Sequence, residues 1–352
     1  MNTKIKWLRD KLIRMNIQGM ILVDPNNIRY LTGIVAEGTF LITRKENIYI
    51  TDSRYIESVN NTLTLDDEIT VYDVRDISKE DYENFFLFCE NVGFEENSIS
   101  YSKYKECIYL YKINNFVETD GMIEEGRMIK DKEELLKIKK ACNLTDKCFT
   151  YLCEYIKHGQ TEKQIAFEIE RYFKENGAED ISFEPIVASG PNSSMPHAVP
   201  TNRKIQKGDP ITIDMGCICD GYCSDMTRTI FVSFVREEIK PIYDLVLKNQ
   251  ELLLEEMKEG ANSRVLTMMV ESDFKVNGYT LDHSIGHGVG IGIHEKPLIG
   301  RKDFLLKENM VLTNEPGIYL PGKFGVRIED TVHILKNECI KLTNSAKNYI
   351  IV

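Results

Sequence analysis

Two aspartates lie on a predicted β-hairpin. The run 211–219 alternates apolar and polar residues as a strand does, and it contains Asp214. Asp220-Gly221 is a strong signal for a two-residue turn, and the return strand over 222–232 contains Asp225. Aspartate is disfavoured in strand interiors, which weakens the alternative that these residues are two solvated surface charges.

The register of this hairpin places the two aspartates on one face. A two-residue turn pairs Cys219 with Tyr222. Counting back along both strands then pairs Asp214 with Thr227. Asp225 becomes the diagonal neighbour of Asp214, and such neighbours lie ~7–8 Å apart at the backbone. The two carboxylates can therefore converge on a common cation.

Two glutamates repeat this arrangement further along the chain. Glu315 and Glu329 both stand in strand-like runs, in which glutamate is depleted. Pro321-Gly322 lies between them and predicts a turn. The second half of the region therefore again carries two acids on two adjacent strands.

His287 is the candidate nitrogen ligand. Three of the six histidines lie between positions 283 and 294, and His287 has Gly286 and Gly288 beside it. Glycine allows the backbone to approach a ligand closely, although a histidine hydrogen-bonded within the core is an open alternative. We reject a dinucleotide-binding loop, because this glycine run does not lie in a strand–loop–helix unit.

The carboxylates and the imidazole together favour a metal centre. Four anions in one cavity cannot all stay ionised without cations. Oxygen-rich ligation with one nitrogen suits two divalent ions, and two metals ~3.5–4 Å apart can hold a hydroxide and polarise a carbonyl. Thiolate ligation by Cys217 and Cys219 is a weaker alternative, because both share the strand face opposite Asp214. The five candidate ligands are Asp214, Asp225, His287, Glu315 and Glu329.

The first part of the chain alternates helix and strand, which favours an α/β domain. Its apolar spacing and turn residues predict five elements. These are a helix over 3–16, a strand over 20–23, a turn over 24–27, and paired strands over 39–43 and 47–51.

A polar segment over 119–130 is interpreted as a linker. After it, apolar residues at helical spacing predict a long helix from Leu135 to Ile156. Thr161 to Gln164 matches a capping box and opens a second helix. Two further helices are predicted over 242–258 and 264–276.

The length of the chain supports two domains, since 352 residues at ~150 residues per domain give about two. The predicted ranges are 1–122 and 128–352. The fold class is α/β (α+β).

Composition excludes several functional classes. The chain has 44 basic and 55 acidic residues, a net charge of −11, and no long basic cluster, which argues against nucleic acid. The sequence contains no stretch of ~18 uncharged apolar residues, so no membrane span is predicted. Nine scattered cysteines without a CxxC pair, and a start that lacks the apolar run of a signal peptide, indicate a cytoplasmic protein.

These motifs, in this order, resemble the pita-bread metallopeptidases over nearly the whole chain. All five ligand positions are filled, and the interval of 11 residues between Asp214 and Asp225 agrees with the family. The segment 189–197 is similar to the family segment that carries a catalytic histidine. The segments 24–33 and 52–55 resemble the N-terminal domain of the proline-directed branch. The resemblance thus implies a creatinase/prolidase-type α/β domain followed by a pita-bread catalytic domain.

The resemblance also implies a role for each ligand. Asp214 would chelate one metal, and Asp225 and Glu329 would bridge both. His287 and Glu315 would complete the other metal, with Glu315 also carrying the proton of the bridging water. The two ions would be manganese, with cobalt, zinc or iron as alternatives.

Three further residues acquire roles in the same way. His197 would contact the nitrogen of the scissile bond, and His294 would stabilise the tetrahedral oxyanion. Arg327 shares a strand face with Glu329 by the period of two. It would either hold a substrate carboxylate or form an ion pair that steadies the site, and both roles stay open.

The N-terminal domain favours the proline-directed branch over methionine aminopeptidase, and the intact ligand set speaks against creatinase. The implied activity is hydrolysis of the bond between an N-terminal residue and proline, by an Xaa-Pro aminopeptidase. The alternative is an Xaa-Pro dipeptidase (prolidase), and a non-catalytic binding module is a remote third. The implied substrate is a peptide with proline at the second position, and the implied assembly is a homodimer.

Overall fold

The computed structural model describes four ranges of the chain: 2–64, 68–119, 121–300 and 302–352. The chain forms two compact units, Met1–Gly126 and Arg127–Val352. The domain limits expected from the sequence, 1–122 and 128–352, stay predictions. No helix in the described ranges has the length and apolar character needed to cross a membrane.

The first unit is built on one six-stranded sheet. Its helices are α1 (Thr3–Arg14), α2 (Pro25–Thr32), α3 (Ile56–Thr62), α4 (Lys79–Phe85), α5 (Tyr101–Tyr111) and α6 (Met122–Arg127). Its strands are β1 (Gly19–Leu22), β2 (Thr39–Thr43), β3 (Asn47–Thr51), β4 (Ile69–Asp73), β5 (Asn91–Phe94) and β6 (Asn115–Glu118). The strand order is β4-β3-β2-β1-β5-β6, with parallel pairing at β3–β4, β1–β5 and β5–β6.

One prediction for this unit is wrong. Residues 24–27 form the start of α2 rather than a turn, because the Asp24 carboxylate accepts from the N–H groups of Asn26 and Asn27 and Pro25 occupies the first helical turn. The same residue types that favour a turn also favour a helix start. The segment interpreted as a linker, 119–130, contains α6 and the boundary between the two units, and its residue Asp120 lies outside the described ranges.

The second unit has four long helices and several small sheets. The helices are α7 (Lys132–Tyr155), α8 (Glu162–Glu175), α9 (Lys240–Glu256) and α10 (Ser263–Val276). The strands of its first half are β7 (Asp180–Ile181), β8 (Ile186–Ser189), β9 (Pro210–Met215), β10 (Cys217–Cys219), β11 (Tyr222–Cys223) and β12 (Met226–Phe231). Those of its second half are β13 (Gly286–Gly288), β14 (Glu295–Ile299), β15 (Val311–Asn314), β16 (Gly317–Leu320), β17 (Phe324–Arg327), β18 (Asp330–Ile334) and β19 (Cys339–Lys341).

Each half of this unit packs two helices on its own strands. In the first half, the apolar faces of α7 and α8 form one core with β8, β9 and β12. In the second half, α9 and α10 form another core with β15 and β18. The capping boxes at Asp131 and Thr161 fix where α7 and α8 begin, and the predicted helices agree with all four of these to within a few residues.

The first hairpin has the predicted register. Cys219 pairs with Tyr222, and Asp214 pairs with Thr227. The hairpin changes sheet at Gly216, between the β9–β12 pair and the β10–β11 pair. A Cβ atom at Gly216 would lie 1.9 Å from the carbonyl oxygen of Ser224, so only glycine permits this crossing. Asp225 lies at the same break, outside the ladder.

The second hairpin also changes sheet in its middle. Asn314 pairs with Asp330 in one sheet, and Gly317 pairs with Arg327 in another. Glu315 and Glu329 lie at this break rather than within a strand, which corrects the expectation from their strand-like surroundings. Backbone at a break is free from ladder pairing, and three of the four acidic candidates are found at such places.

The glycines beside His287 allow neighbouring strands of the sheet to pack closely. A Cβ atom at Gly286 would lie 2.1 Å from the carbonyl oxygen of Thr313, and one at Gly288 would lie 2.4 Å from that of Lys296. These glycines let neighbouring backbone approach closely, whereas the sequence suggested close approach of a ligand.

Candidate active site

The breaks of the two hairpins bring acidic side chains against His287. Asp225, His287 and Glu329 are all buried, and one potential ligand atom of each lies within 4.8 Å of the others. His287 Nε2 is 3.5 Å from Asp225 Oδ2 and 3.5 Å from Glu315 Oε1. Three of the five predicted ligands therefore lie close to one another, and a fourth, Glu315, lies against His287.

The fifth predicted ligand, Asp214, is joined to this group by Arg327. Arg327 Nη2 donates to Asp214 Oδ2 over 2.6 Å, and Arg327 Nε donates to Thr227 Oγ1 over 3.0 Å. Thr227 Oγ1 in turn donates to Glu329 Oε2 over 2.6 Å. This chain of hydrogen bonds links one carboxylate from each hairpin.

The remaining nitrogen of His287 fixes the orientation of its ring. His287 Nδ1 lies 3.1 Å from the carbonyl oxygen of Gly288, which accepts a hydrogen bond when Nδ1 carries the proton. Nε2 then presents a lone pair towards Asp225 and Glu315. Burial lowers the pKa of His287, which keeps the ring neutral and able to bind a metal.

The carboxylates repel one another in the absence of a cation. Burial raises the pKa of Asp225 well above its ordinary value, and the neighbouring Glu329 and Asp214 raise it further. Burial likewise raises the pKa of Glu329, reinforced by Glu315 and Asp214. Arg327 offsets only part of this charge. The cluster has the electrostatics of a site that binds cations.

The donor set fits a divalent metal. Asp214 Oδ1 is buried without a hydrogen-bond partner in the described ranges, although its other oxygen is held by Arg327. An orphaned carboxylate oxygen beside a neutral imidazole and further carboxylates is the chemistry that oxygen- and nitrogen-binding metals require. Thr313 Oγ1 donates to Glu315 Oε1 over 3.1 Å and so orients that carboxylate in the way supporting residues orient metal ligands.

A cavity of about 710 Å³ opens onto this cluster. All five predicted ligands line it, together with His197, His294 and Arg327. His197 and His294 are both exposed, and the rings of His287 and His294 lie 4.5 Å apart in an edge-on arrangement. These eight residues to which the sequence assigned roles thus line one cavity, whereas Cys217 and Cys219, the weaker alternative ligands, are not among its described lining residues.

Sequence reasoning missed the pair His283 and Tyr319. His283 Nε2 lies 2.9 Å from the hydroxyl of Tyr319, and Arg327 Nη1 donates to that hydroxyl over 2.8 Å. His283 also lines the cavity. Its place in the cluster of three histidines was a signal, but nothing in the sequence connects it with a tyrosine 36 residues away.

Comparisons with known proteins agree with this geometry. A model of metallopeptidase family M24 matches residues 136–336, and a model of the creatinase/prolidase N-terminal domain matches residues 4–129. The chain is 34% identical over 359 residues to the Xaa-Pro dipeptidase of Pyrococcus horikoshii, covering 99% of each chain.

Two solved structures resemble the chain over almost its full length. The Xaa-Pro dipeptidase from Bacillus anthracis has a TM-score of 0.94 at 32% identity, covering 99% of each chain. The X-Pro aminopeptidase from Thermotoga maritima has a TM-score of 0.91 at 30% identity, again covering 99% of each. The chain therefore belongs to metallopeptidase family M24, with a creatinase/prolidase N-terminal domain before its pita-bread domain.

Proposed function

We propose that the chain is an Xaa-Pro dipeptidase (prolidase), a dinuclear-metal peptidase that hydrolyses the bond between an N-terminal residue and a carboxy-terminal proline. The observation that carries the proposal is the full-length similarity to the Xaa-Pro dipeptidases of P. horikoshii and B. anthracis. These relatives favour the dipeptidase over the aminopeptidase that the sequence first suggested. The similarity to the T. maritima X-Pro aminopeptidase keeps that activity as a second candidate.

Five residues would hold two divalent ions: Asp214, Asp225, His287, Glu315 and Glu329. When bound, such ions would supply an activated water and a Lewis acid for the scissile carbonyl. The raised pKa values of Asp225 and Glu329 support this assignment, because the charge they share needs compensation. Manganese is our first choice, with cobalt, zinc and iron as alternatives, and a homodimer in the cytoplasm remains part of the proposal.

Glu315 is the proposed proton carrier. Burial raises the pKa of Glu315 in the metal-free protein, and with two cations bound beside it the carboxylate would be ionised and able to accept a proton. Thr313 holds one of its oxygens in place. A carboxyl group with these properties can take a proton during attack on the peptide bond and later release it.

His197 and His294 are the proposed contacts with the reacting peptide. Both line the cavity beside the carboxylates. Partial burial of the imidazole ring, and then the nearby His287, lower the pKa of His294, so its ring is neutral and carries one N–H that can donate to a developing oxyanion. His197 would donate to the nitrogen of the scissile bond, which in an Xaa-Pro peptide carries no hydrogen of its own.

The walls of the cavity suit a proline side chain. Phe183, Ile186, Val199 and Leu298 line it and contribute apolar surface. A pyrrolidine ring carries neither charge nor a hydrogen-bond donor when its nitrogen is in a peptide bond, so it gains from such surface.

The free carboxylate of a dipeptide needs a cation, and Arg327 is poorly placed to provide it. Its guanidinium is bonded to Asp214, Thr227, Tyr319 and the carbonyl oxygen of Pro196, and its side chain is only 4% exposed. These contacts favour the ion-pair role over the substrate role. Lys163 is the other cation that lines the described cavity, and among the described residues its ammonium group has no ion-pair partner.

The test is a comparison of three peptides with the metal-loaded protein: an Xaa-Pro dipeptide, its carboxy-terminal amide and an Xaa-Pro-Yaa tripeptide. A dipeptidase should show a kcat/KM for the dipeptide well above that for the other two. Efficient cleavage of the tripeptide would instead support the aminopeptidase. An Xaa-Ala dipeptide serves as the control for proline.

A further inference from the structure

Glu162 ties together the loop that carries His197. It is the first residue of α8 and is fully buried. Its carboxylate accepts six hydrogen bonds from three residues, Ser189, Asn192 and Thr201. These three residues lie at the beginning, in the first turn and at the end of the segment 189–201.

The two carboxylate oxygens of Glu162 bond to opposite ends of this segment. Oε1 accepts from the backbone N–H and the hydroxyl of Ser189, both over 2.7 Å. Oε2 accepts from the backbone N–H of Thr201 over 2.9 Å and from its hydroxyl over 2.6 Å. The side-chain amide of Asn192 donates to both oxygens, over 3.2 and 2.9 Å. One carboxylate therefore closes both ends of the loop.

The partners of Glu162 in the described ranges are all uncharged N–H and O–H groups. A fully buried carboxylate is costly unless it is well hydrogen-bonded, and six hydrogen bonds from five donor atoms provide that compensation here. Such an arrangement is specific for a carboxylate. A side-chain amide at this position would present its own N–H₂ group to donors on one side and would lose about half of the contacts.

The middle of the loop is also hydrogen-bonded to β17, the strand that contains Arg327. Arg327 Nη1 donates to the carbonyl oxygen of Pro196, the residue before His197, over 3.0 Å. The hydroxyl of Ser193 accepts from the N–H of Gly325 over 2.9 Å. His197 itself is exposed to the cavity, and no hydrogen bond from the described ranges of the chain fixes its ring. Its position depends on the backbone that carries it.

We propose that Glu162 is a positioning residue for His197, which it holds at the cavity wall by closing the loop 189–201. The inference rests on the proposed function, in which His197 contacts the substrate. Catalytic groups lose much of their effect when they are displaced by about 1 Å, so weakening of this closure should cost roughly 10²-fold in turnover. If Glu162 only stabilised the fold, substituting it would lower the stability of the protein without a specific effect on catalysis by His197.

A double-mutant cycle separates these two roles. The variants are Glu162→Gln, His197→Ala and the double variant, each with metal content and thermal midpoint recorded. His197→Ala should lower kcat by roughly 10²–10⁴. If Glu162 acts through His197, Glu162→Gln should lower kcat strongly in the natural background and only slightly in the His197→Ala background. Metal content should be unchanged in all three.

Glu168→Gln is the matched control. Glu168 is a largely buried carboxylate on the same helix, but its partners are Arg171 and Tyr151 and it does not contact the loop. It should keep wild-type kcat. If Glu162→Gln does not fold, Thr201→Val removes one hydroxyl donor to the same carboxylate from an exposed residue and takes its place in the cycle.

Amide hydrogen exchange gives a readout that does not depend on catalysis. The N–H groups of Ser189 and Thr201 should exchange faster in Glu162→Gln and not in Glu168→Gln. Equal, multiplicative losses of kcat in both backgrounds, or unchanged exchange in the loop, would overturn the proposal. If His197→Ala kept wild-type turnover, the proposed role of His197 would fail instead, and the exchange result would still decide whether Glu162 closes the loop.

Discussion

Asp214 and Arg327 form a buried ion pair in which only one carboxylate oxygen is used. Arg327 Nη2 donates to Asp214 Oδ2 over 2.6 Å, while Asp214 Oδ1 is buried and has no hydrogen-bond partner in the described ranges. Arg327 therefore fixes the carboxylate without saturating it. The free oxygen remains available for a cation, and the guanidinium reduces the repulsion among the other acids.

Arg327→Gln should lower metal affinity by roughly 10–100-fold, as loss of a residue that orients a metal ligand usually does. It should also destabilise the metal-free protein, since breaking a buried ion pair typically costs about 3–5 kcal/mol. Calorimetric titration with Mn²⁺ and a thermal melt would measure the two effects. Arg264→Gln is the control, because its side chain is 58% exposed and its contact with Asp303 is 3.8 Å long. Unchanged Mn²⁺ affinity in Arg327→Gln would contradict this role.

Asp225→Asn should lose most bound metal and most activity while the fold survives. The amide has the same shape but lacks the negative charge that a cation requires. Metal analysis, peptide hydrolysis and circular dichroism would test this. Asp220→Asn is a matched control, because Asp220 lies at the tip of the same hairpin, is exposed and forms an ion pair with Lys140 on the surface. A variant of Asp225 that retained two metal ions would exclude it from the ligand set.

The stability of the metal-free protein should carry a specific pH dependence. The pKa values of Asp225 and Glu329 are raised in the folded state, by burial and then by neighbouring carboxylates. A carboxyl group whose pKa is raised by folding contributes its full stabilisation below its ordinary pKa of about 4. This stabilisation is lost as the pH rises through the higher pKa of the folded state. Other acidic groups add their own pH dependence, so the informative quantity is the difference between the natural protein and Glu329→Gln.

Thermal midpoints of both chelated proteins between pH 5 and 8 would measure this difference. We expect the natural protein to lose stability relative to Glu329→Gln as the pH rises. Added Mn²⁺ should raise the midpoint of the natural protein more at pH 8 than at pH 5, because protons compete with the metal for the same oxygens. A difference that stays constant with pH would contradict the mutual repulsion of these carboxylates.

Lys163→Gln should raise KM for an Xaa-Pro dipeptide about tenfold and leave kcat nearly unchanged. A hydrogen bond between charged groups is worth about 1.5 kcal/mol, and an interaction present throughout the reaction affects KM alone. Lys163→Arg should retain most of the affinity. Lys174→Gln is the control on the same helix, since Lys174 pairs with Glu170. An equal KM effect on the carboxy-terminal amide of the peptide would show that Lys163 does not bind the substrate carboxylate.

Local signals in the sequence were sufficient to predict the turn and the register of the hairpin that contains Asp214. Asp220-Gly221 fixes the turn and hence the register, so the pairing of Asp214 with Thr227 followed by counting and is confirmed. The four helices of the second unit followed from apolar spacing and caps. The turn expected at 24–27 failed because Asp-Pro begins a helix as readily as a turn when the following residues can pack.

Contacts between distant segments could not be predicted in this way. Thr227 bonds to Glu329 across 102 residues of sequence, and Arg327 bonds to Asp214 across 113. Neither residue type nor spacing contains this information, because it arises when the two hairpins meet in the folded unit. The sequence around Glu162 likewise predicted only the start of a helix. It gave no sign that the Glu162 carboxylate bonds to both ends of the loop that contains His197.

Release of free proline from an Xaa-Pro dipeptide, measured while metal is returned to the chelated protein, tests the central claim most directly. The protein should be inactive after chelation, and its activity should rise with added Mn²⁺ and level off at two ions per chain. The bound ions should be counted in the same samples. Full turnover by the metal-free protein, or no proline release from the protein with two ions bound, would contradict a dinuclear Xaa-Pro dipeptidase.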